Sequence, residues 1–309
     1  MEAMRLEGIH HVTCITGDAQ RNVDFYVGLL GLRLVKKTVN QDDPSIYHLF
    51  YADEHGDPGS DLTFFEYPGA RPGRAGEGMV HRICWRVASD EALDFWAQRL
   101  GAAGVEVERD AAWLRFRDEE GLQHELAVST VSDPPLSAEH PEIPADLALQ
   151  GFDGVRAYAH HPEASRELFE GALAFEPRGE ATWEARGEQR GGTYALDPPP
   201  EERGVPGAGT VHHVAWASLP EEEEAWRERL VTAGAGPTPV IDRFYFRSIY
   251  FREPSGVLFE IATIGPGFAV DEPAESLGEA LSLPPNYAHL REQVEAQLTP
   301  LTNPRSSVH

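Results

Sequence analysis

The chain has 309 residues, and its 41% hydrophobic and 9% aromatic content is typical of globular rather than disordered proteins. Its net charge of −25 argues against nucleic acid as a partner, because a phosphate backbone is bound by clustered Lys and Arg. No apolar run approaches the roughly 20 residues of a membrane helix, no signal pattern opens the chain, and two cysteines are too few for a disulfide framework. We therefore expect a cytoplasmic protein without membrane contact.

Four segments repeat one pattern, a strand followed by an amphipathic helix. They are "IHHVTCITGDAQRNVDFYVGLLGLRLV", "VHRICWRVASDEALDFWAQRLGAAGVEV", "GVRAYAHHPEASRELFEGALAFEP" and "VHHVAWASLPEEEEAWRERLVTAGAG". In the second segment, Ser89 and Asp90 are candidates for the helix N-cap and Gly101 for its end. About three strand-like pieces follow each helix. The sequence thus predicts an α+β protein of four tandem βαβββ modules.

Stretches rich in Pro, Gly and charge separate the four modules near residues 75, 145 and 208. Pairs of modules are predicted to form two half-open mixed β-barrels, each around a concavity. We expect one domain at residues 1–145, a second at 146–270, and a helical C-terminal tail at 271–309.

Histidines recur in the first strand of three modules. A repeat alignment places His11 beside His81 and His213, and the third module has no histidine there. Since strand residues alternate between faces, His11 shares a face with Thr13, and ideal alternation directs His212 away from His213.

Carboxylates end two of the modules. Glu125 in "GLQHELAV" and Glu260 in "GVLFEIAT" occupy matching positions, whereas Asp197 and Glu66 are weaker candidates. Two histidines and one carboxylate leave several positions open on an octahedral metal, which suits Fe(II) oxygen chemistry. Mn(II) and Zn(II) accept the same ligands, so the residue types do not name the ion.

A longer stretch, "HHVTCITGDAQRNVDFYVGLLGLRLVKKTVNQDDPSIYHLFYADEHGDPGSDLTFF", resembles the opening of hydroquinone-type ring-cleaving dioxygenases of the vicinal oxygen chelate superfamily. The final "LPPNYAHLREQVEAQLTPL" resembles that family's tail. The resemblance implies that His11, His213 and Glu260 hold the metal, so that the first and fourth modules meet. His81 and Glu125 are then a relic, the interpretation we prefer, or a second site.

The same resemblance implies that Tyr250, Arg243 and His212 are catalytic. It implies an Fe(II)-dependent enzyme that opens hydroquinone or catechol rings with dioxygen, with a small aromatic substrate as its partner. Two alternatives remain. A glyoxalase-like isomerase or thiol transferase would use the same fold, usually with a second carboxylate as base, and a metal-free binding module would need no ligands. The sequence leaves a homo-oligomer open.

Overall fold

A computed structural model of the chain describes residues 4–305. In this part of the chain, sixteen strands form two mixed sheets of eight strands each. The strands and helices follow the predicted order, one strand, one helical segment and three strands, four times over, and a helical tail comes last. The predicted fold class is confirmed.

The first two modules have the following bounds. The first consists of β1 (Ile9–Thr16), α1 (Ala19–Val23) with a π-helical turn (Asp24–Leu29), β2 (Arg33–Asn40), β3 (Asp43–Ala52) and β4 (Asp61–Glu66). The second consists of β5 (Val80–Val87), α2 (Asp90–Ala102), β6 (Val107–Arg109), β7 (Trp113–Arg117) and β8 (Gln123–Val128).

The other two modules and the tail complete the fold. The third module consists of β9 (Phe152–Tyr158), a 3₁₀ turn (Pro162–Ser165), a π-helical turn (Glu167–Ala172), β10 (Glu176–Gly179), β11 (Thr182–Arg186) and β12 (Gly191–Asp197). The fourth consists of β13 (Thr210–Ser218), a 3₁₀ turn (Pro220–Glu222), α3 (Glu223–Thr232), β14 (Ile241–Asp242), β15 (Arg247–Arg252) and β16 (Leu258–Thr263). Short 3₁₀ turns (Phe268–Val270 and Ala274–Ser276) lead to the tail helix, a 3₁₀ segment (Pro285–Leu290) and α4 (Arg291–Gln297).

The helix α2 shows how local sequence sets these elements. Its N-cap is Ser89, as predicted, and the Ser89 side chain accepts a hydrogen bond from Ala92 N at 3.2 Å. Its apolar side chains Leu93, Trp96 and Leu100 are spaced to form one face, and all three are fully buried. The helix continues one residue past Gly101, the predicted end.

The sheets pair modules that are distant in sequence. The first sheet has the order β14-β15-β16-β13-β1-β4-β3-β2 and joins the fourth module to the first. The second sheet, β10-β11-β12-β9-β5-β8-β7-β6, joins the third module to the second. Each sheet takes strands from both sides of residue 145, and the division at that residue stays a prediction.

Irregular pairing marks the centre of both sheets. Along β1 and β13 the register skips His10 on one strand and His212 on the other, so that each is the extra residue of a β-bulge. Along β5 and β9 the register skips His81 and Asp153 in the same way. The sheets thus carry equivalent bulges at equivalent places.

The C-terminal tail lies against the first sheet. The fully buried Lys36 of β2 donates to Asp271 at 2.8 Å and also pairs with Glu272. Tyr287 donates to the carbonyl oxygen of Gln41 at 2.7 Å, which ties the tail to the turn after β2. Among residues 4–305, no helix is both long and apolar enough to cross a membrane.

Candidate metal centre and active site

Three predicted side chains meet at the centre of the first sheet. His11 lies on β1, His213 on β13 and Glu260 on β16, and all three are buried. The Nε2 atoms of the two histidines are 3.3 Å apart, and Oε2 of Glu260 lies 3.3 Å from His11 Nε2 and 2.9 Å from His213 Nε2. Bonds of about 2.1 Å at right angles to one metal ion separate neighbouring ligand atoms by about 3.0 Å, so these atoms fit one face of an octahedron.

Glu260 is held as an anion. Burial alone would raise its pKa, but the neighbouring His11 and His213 lower the pKa of Glu260 well below its usual value. Ser248 donates to Oε1 at 2.5 Å, while Oε2 has no hydrogen-bond partner among the described residues. A buried carboxylate oxygen that faces two imidazole nitrogens and has no donor of its own fits a cation.

A chain of hydrogen bonds fixes the tautomer of His11. His10 Nε2 lies 3.2 Å from the carbonyl oxygen of Thr263, which can only accept, and His10 Nδ1 lies 2.9 Å from His11 Nδ1. Burial lowers the pKa of His10 to about 3, so His10 is neutral. His10 therefore donates from Nε2 and accepts at Nδ1. His11 then carries its proton on Nδ1 and keeps the lone pair on Nε2, the nitrogen that faces the other two ligands.

His213 has an equivalent neighbour. His212 Nδ1 lies 2.7 Å from His213 Nδ1, and burial lowers the pKa of His212 to about 4. Strict alternation would direct His212 to the opposite face, but the bulge places both histidines against the same cavity. His212 is exposed, so this neutral imidazole lies at the cavity rim.

A cavity of about 250 Å³ opens above the three atoms. Its walls are largely aromatic and include Phe50, Phe65 and Phe246. A cavity of about 150 Å³ holds benzene, so there is room for a single aromatic ring with polar substituents. The lining also contains all six residues that the sequence analysis assigned, His11, His212, His213, Arg243, Tyr250 and Glu260.

Arg243 and Tyr250 lie side by side on one wall. Tyr250 is the β15 residue that pairs with Glu260, whereas Arg243 lies in the turn between β14 and β15 rather than on a strand. Two nitrogens of Arg243 each donate to Asp42 at 3.0 Å, and its guanidinium carbon is 5.4 Å from the Tyr250 ring centre. Burial and then the negative charge of Glu260 raise the pKa of Tyr250, which keeps its hydroxyl protonated.

A second cluster of ligand-type atoms lies behind the first. Asp61, His10 and His11 present ligand-type atoms within 4.8 Å of one another. Burial, reinforced by Asp53, raises the pKa of Asp61 well above its usual value, which disfavours the anionic form that a metal ligand needs. Both ring nitrogens of His10 are already hydrogen-bonded, and this arrangement is not that of a metal site.

The alignment of His11 with His81 is wrong by one residue. His81 is the bulge residue of β5, so it matches His10 and His212, and Arg82 occupies the place of His11. His81 Nε2 lies 2.8 Å from Asp197 Oδ2. Burial lowers the pKa of His81, although Asp197 opposes the shift.

Other charged groups singled out in the sequence are also engaged. Glu125 pairs with Arg82 at 3.2 Å and with Arg115 at 2.6 Å. Glu66 accepts a hydrogen bond from Ala19 N at 2.9 Å, at the start of α1. Neither carboxylate belongs to a cluster of metal-ligand atoms in residues 4–305.

The sequence profile of the Glyoxalase/Bleomycin resistance protein/Dioxygenase superfamily matches residues 8–125 and 151–261, which is most of the chain. The chain belongs to this superfamily. A maize glyoxalase I, 16% identical with a TM-score of 0.54, covers 83% of the chain and 92% of its own length, and shares the superfamily fold.

Closer members of the superfamily match nearly the whole chain. MhqO of Bacillus subtilis, provisionally named a ring-cleaving dioxygenase, is 41% identical over 96% of this chain and 97% of its own. The chlorohydroquinone/hydroquinone 1,2-dioxygenase of Sphingobium indicum is 31% identical over 94% and 95% of the two chains. A crystal structure of a Bacillus subtilis protein, provisionally described as a dioxygenase, superposes with a TM-score of 0.88 at 39% identity and covers 97% and 99%.

Several residues in or next to the cavity escaped the sequence analysis. Ser248 orients Glu260, Asp42 holds Arg243, and His48 lines the cavity from β3. Ser248 is two residues from Tyr250 on one strand, so alternation could have placed it on the same face. His48 lies in a stretch where the repeat alignment singled out no residue, so no sequence signal pointed to it.

Proposed function

We propose that the protein is a ring-cleaving dioxygenase that opens hydroquinone- or catechol-type rings with dioxygen at an Fe(II) held by His11, His213 and Glu260. The observation that carries the proposal is the buried group of three ligand atoms 2.9 to 3.3 Å apart beneath an aromatic cavity. Relatives that match nearly the whole chain are named ring-cleaving dioxygenases, one of them for hydroquinones. Superfamily dioxygenases depend on a metal.

The donor set favours iron over other ions without excluding them. Two neutral imidazoles and one carboxylate on one face leave the opposite positions free, the arrangement of non-haem Fe(II) oxygenases. Mn(II) and Zn(II) bind similar donors, so the ion must be measured.

A missing fourth ligand argues against the glyoxalase-like alternative. Each sheet is roughly two-fold symmetric, and the pairing of Thr13 with Thr63 corresponds to that of Ala215 with Glu260. The place of a second carboxylate is therefore occupied by Thr63, whose hydroxyl bonds Thr13 and His48. A glyoxalase-type isomerase usually needs a carboxylate base there, and a threonine cannot act as one at neutral pH.

His11, His213 and Glu260 would hold the Fe(II), which would supply binding for a phenolate and dioxygen and the electron transfer between them. The protein side chains bind and orient. Arg243 carries a permanent positive charge that Asp42 holds at the cavity wall, where it stabilises a phenolate oxygen. The surrounding aromatic side chains exclude water, which strengthens that attraction.

Proton transfer falls to two other residues. Neutral His212 at the exposed rim can accept a proton from a substrate hydroxyl and pass it to solvent. Tyr250 retains its proton and can donate it, or a hydrogen bond, to an oxygen that becomes negative during the reaction. The products retain both atoms of dioxygen, as ring cleavage requires.

Anaerobic purification followed by metal analysis tests the proposal directly. We expect iron to bind at one equivalent per chain and to support oxygen uptake with hydroquinone or catechol. Zn(II) in place of iron should bind without oxygen uptake, because Zn(II) has no redox chemistry.

Matched variants control for iron that binds elsewhere on the protein. His213→Ala should lose the metal and the oxygen uptake, whereas His81→Ala, which alters a histidine of the other sheet, should keep both. Iron-loaded protein that consumes no oxygen with any diphenol would contradict the proposed activity. Isomerase or thiol-transferase turnover in such a preparation would favour the glyoxalase-like alternative.

A further inference from the structure

The two edge strands of the first sheet are joined by side chains rather than by backbone pairing. In the order β14-β15-β16-β13-β1-β4-β3-β2, the strands β14 and β2 are at opposite ends, and among the described strands they do not pair with each other. The turns next to them both contribute to the cavity wall, Gln41 and Asp42 after β2 and Arg243 and Tyr245 after β14. A wall without a backbone ladder stays in one place only if other contacts hold it.

One set of contacts joins the two turns directly. Gln41 donates from Nε2 to the backbone carbonyl oxygen of Arg243 at 2.6 Å, and two guanidinium nitrogens of Arg243 each donate to Asp42 at 3.0 Å. The Asp42 side chain is 72% exposed, so solvent screens this ion pair. An ion pair with one exposed partner contributes little, and the position of Arg243 therefore depends also on the turn that carries it.

The turn that carries Arg243 has an unfavourable backbone conformation. Phe244 has a φ of 71°, in the left-handed region that glycine favours and that a bulky residue rarely adopts. Such a conformation persists only where its surroundings hold it. Within the turn, Phe244 N donates to Oδ1 of Asp242 at 2.8 Å, and Tyr245 N donates to the carbonyl oxygen of Arg243 at 2.9 Å. The position of Arg243 is therefore coupled to that of Tyr245.

One carboxylate of the tail joins Tyr245 to the opposite edge strand. Oδ2 of Asp271 accepts from the Tyr245 hydroxyl at 3.0 Å, and Oδ1 accepts from Nζ of Lys36 on β2 at 2.8 Å. Lys36 is fully buried, and its ammonium lies 5.0 Å from the centre of the Tyr245 ring. Glu272 also pairs with Lys36, but among residues 4–305 it makes no hydrogen bond to Tyr245. Asp271 is thus the side chain that spans the two edges of the sheet.

We propose that Asp271 is a positioning residue, which through Tyr245 fixes the turn between β14 and β15 and so holds Arg243 where it can bind a phenolate oxygen. The inference rests on the proposed function, because it takes Arg243 to bind the substrate. It assigns the C-terminal tail, which lies outside the four modules, a part in substrate binding.

Binding to the iron-loaded full chain without oxygen tests this inference apart from turnover. Calorimetry should measure hydroquinone and catechol, and the tighter-binding diphenol then serves as the probe. Tyr245→Phe removes the hydroxyl that donates to Asp271 and keeps the ring in the cavity wall. We expect the affinity for the probe to fall about 3- to 10-fold, the effect of one lost hydrogen bond, with iron content unchanged.

Two tail variants complete the comparison. Asp271→Asn has one acceptor oxygen where Asp271 uses two, so it cannot serve both Lys36 and Tyr245 and should weaken binding of the probe as well. It carries the same comparison if Tyr245→Phe does not fold. Glu272→Gln is the matched control, because it alters the neighbouring partner of Lys36 but leaves the bond to Tyr245 in place, and it should bind the probe like the wild type.

A double-mutant cycle separates positioning from general stability. In the Arg243→Lys background, Tyr245→Phe should change the affinity for the probe by less than about 2-fold, because both substitutions disturb the same contact to the substrate. A merely structural effect would add in full. Hydrogen exchange gives a measurement without substrate, since the peptide that contains residues 242–246 should exchange faster in Tyr245→Phe than in the wild type. Thermal unfolding monitors the folding of each variant.

The outcomes are distinguishable. If the wild type binds the probe and folded Tyr245→Phe binds it equally well, the role of Asp271 is overturned and the proposed function stays in place. Full additivity with Arg243→Lys also overturns that role, because Tyr245 would then act independently of Arg243. Wild-type protein that holds iron but binds neither diphenol overturns both the inference and the proposed function.

Discussion

The two sheets share one topology and each has a pair of central bulges, yet among residues 4–305 only the first gathers atoms that could hold a metal ion. Four positions around each sheet centre correspond. In the first sheet they are His11, His213, Thr63 and Glu260, and in the second they are Arg82, Gly154, Glu125 and Ala195. The fold thus offers each concavity the same four places, and the residue types alone decide whether a metal can bind.

Charge in the second concavity is already balanced. Glu125 faces Arg82 and Arg115, so its anionic charge is neutralised by arginines that a metal would have to displace. In the first concavity, Glu260 faces only imidazoles and the Ser248 hydroxyl, and the nearby Arg243 is turned toward Asp42. Of these two matching carboxylates, only Glu260 has no arginine or lysine partner among residues 4–305.

The largest expected effect comes from neutralising that carboxylate. Glu260→Gln keeps the size of the side chain but removes the anion, and we expect loss of iron and loss of oxygen uptake, since one of three protein ligands is weakened. Glu125→Gln makes the same change at the other sheet and should retain one iron per chain. Equal iron loss in both variants would show that the two concavities do not differ as described.

The sequence predicted the repeat and the three clustered side chains, but it did not predict the bulges. The repeats predicted four modules because each unit has its own strand and helix periodicity. A bulge leaves no periodic pattern in the sequence, because it is one extra residue in a pairing between distant strands. The repeat alignment therefore placed His81 one residue out of register with His11. Equally, the network of His48, Thr63 and Thr13 crosses three strands and has no local signature.

A second contrast concerns tyrosines. Tyr250→Phe removes one hydroxyl beside the candidate metal centre, and turnover should fall about 10²- to 10⁴-fold if that hydroxyl transfers a proton. Tyr158→Phe removes the hydroxyl of the tyrosine stacked on His81 in the second sheet, and turnover should not change. Steady-state oxygen uptake, normalised to iron content, measures both. Equal rates for Tyr250→Phe and wild type would make Tyr250 part of the scaffold only.

Arginine geometry gives a smaller difference. Arg243→Lys keeps the charge but replaces the planar fork that Asp42 holds through two nitrogens, so the positive charge becomes mobile. We expect KM for the phenol to rise about tenfold with iron unchanged. Arg115→Lys in the second sheet is the control and should leave KM unaltered. An unaltered KM in Arg243→Lys would mean that the phenolate is stabilised elsewhere.

The smallest effect should follow from giving the second sheet a ligand that the first sheet has. Arg82→His places an imidazole where His11 lies in the first sheet, next to Glu125. We expect no second iron, because Gly154 occupies the place of His213 and offers no ligand atom. A side chain does not fit there, since its Cβ would overlap Thr193 Oγ1 and lie 2.5 Å from the Thr193 carbonyl oxygen. The variant loses one half-buried ion pair while Arg115 keeps Glu125 paired, so the free energy of unfolding should fall by about 1 kcal/mol. Metal analysis together with denaturant unfolding checks both expectations, and a second bound iron would show that two ligands suffice in this fold.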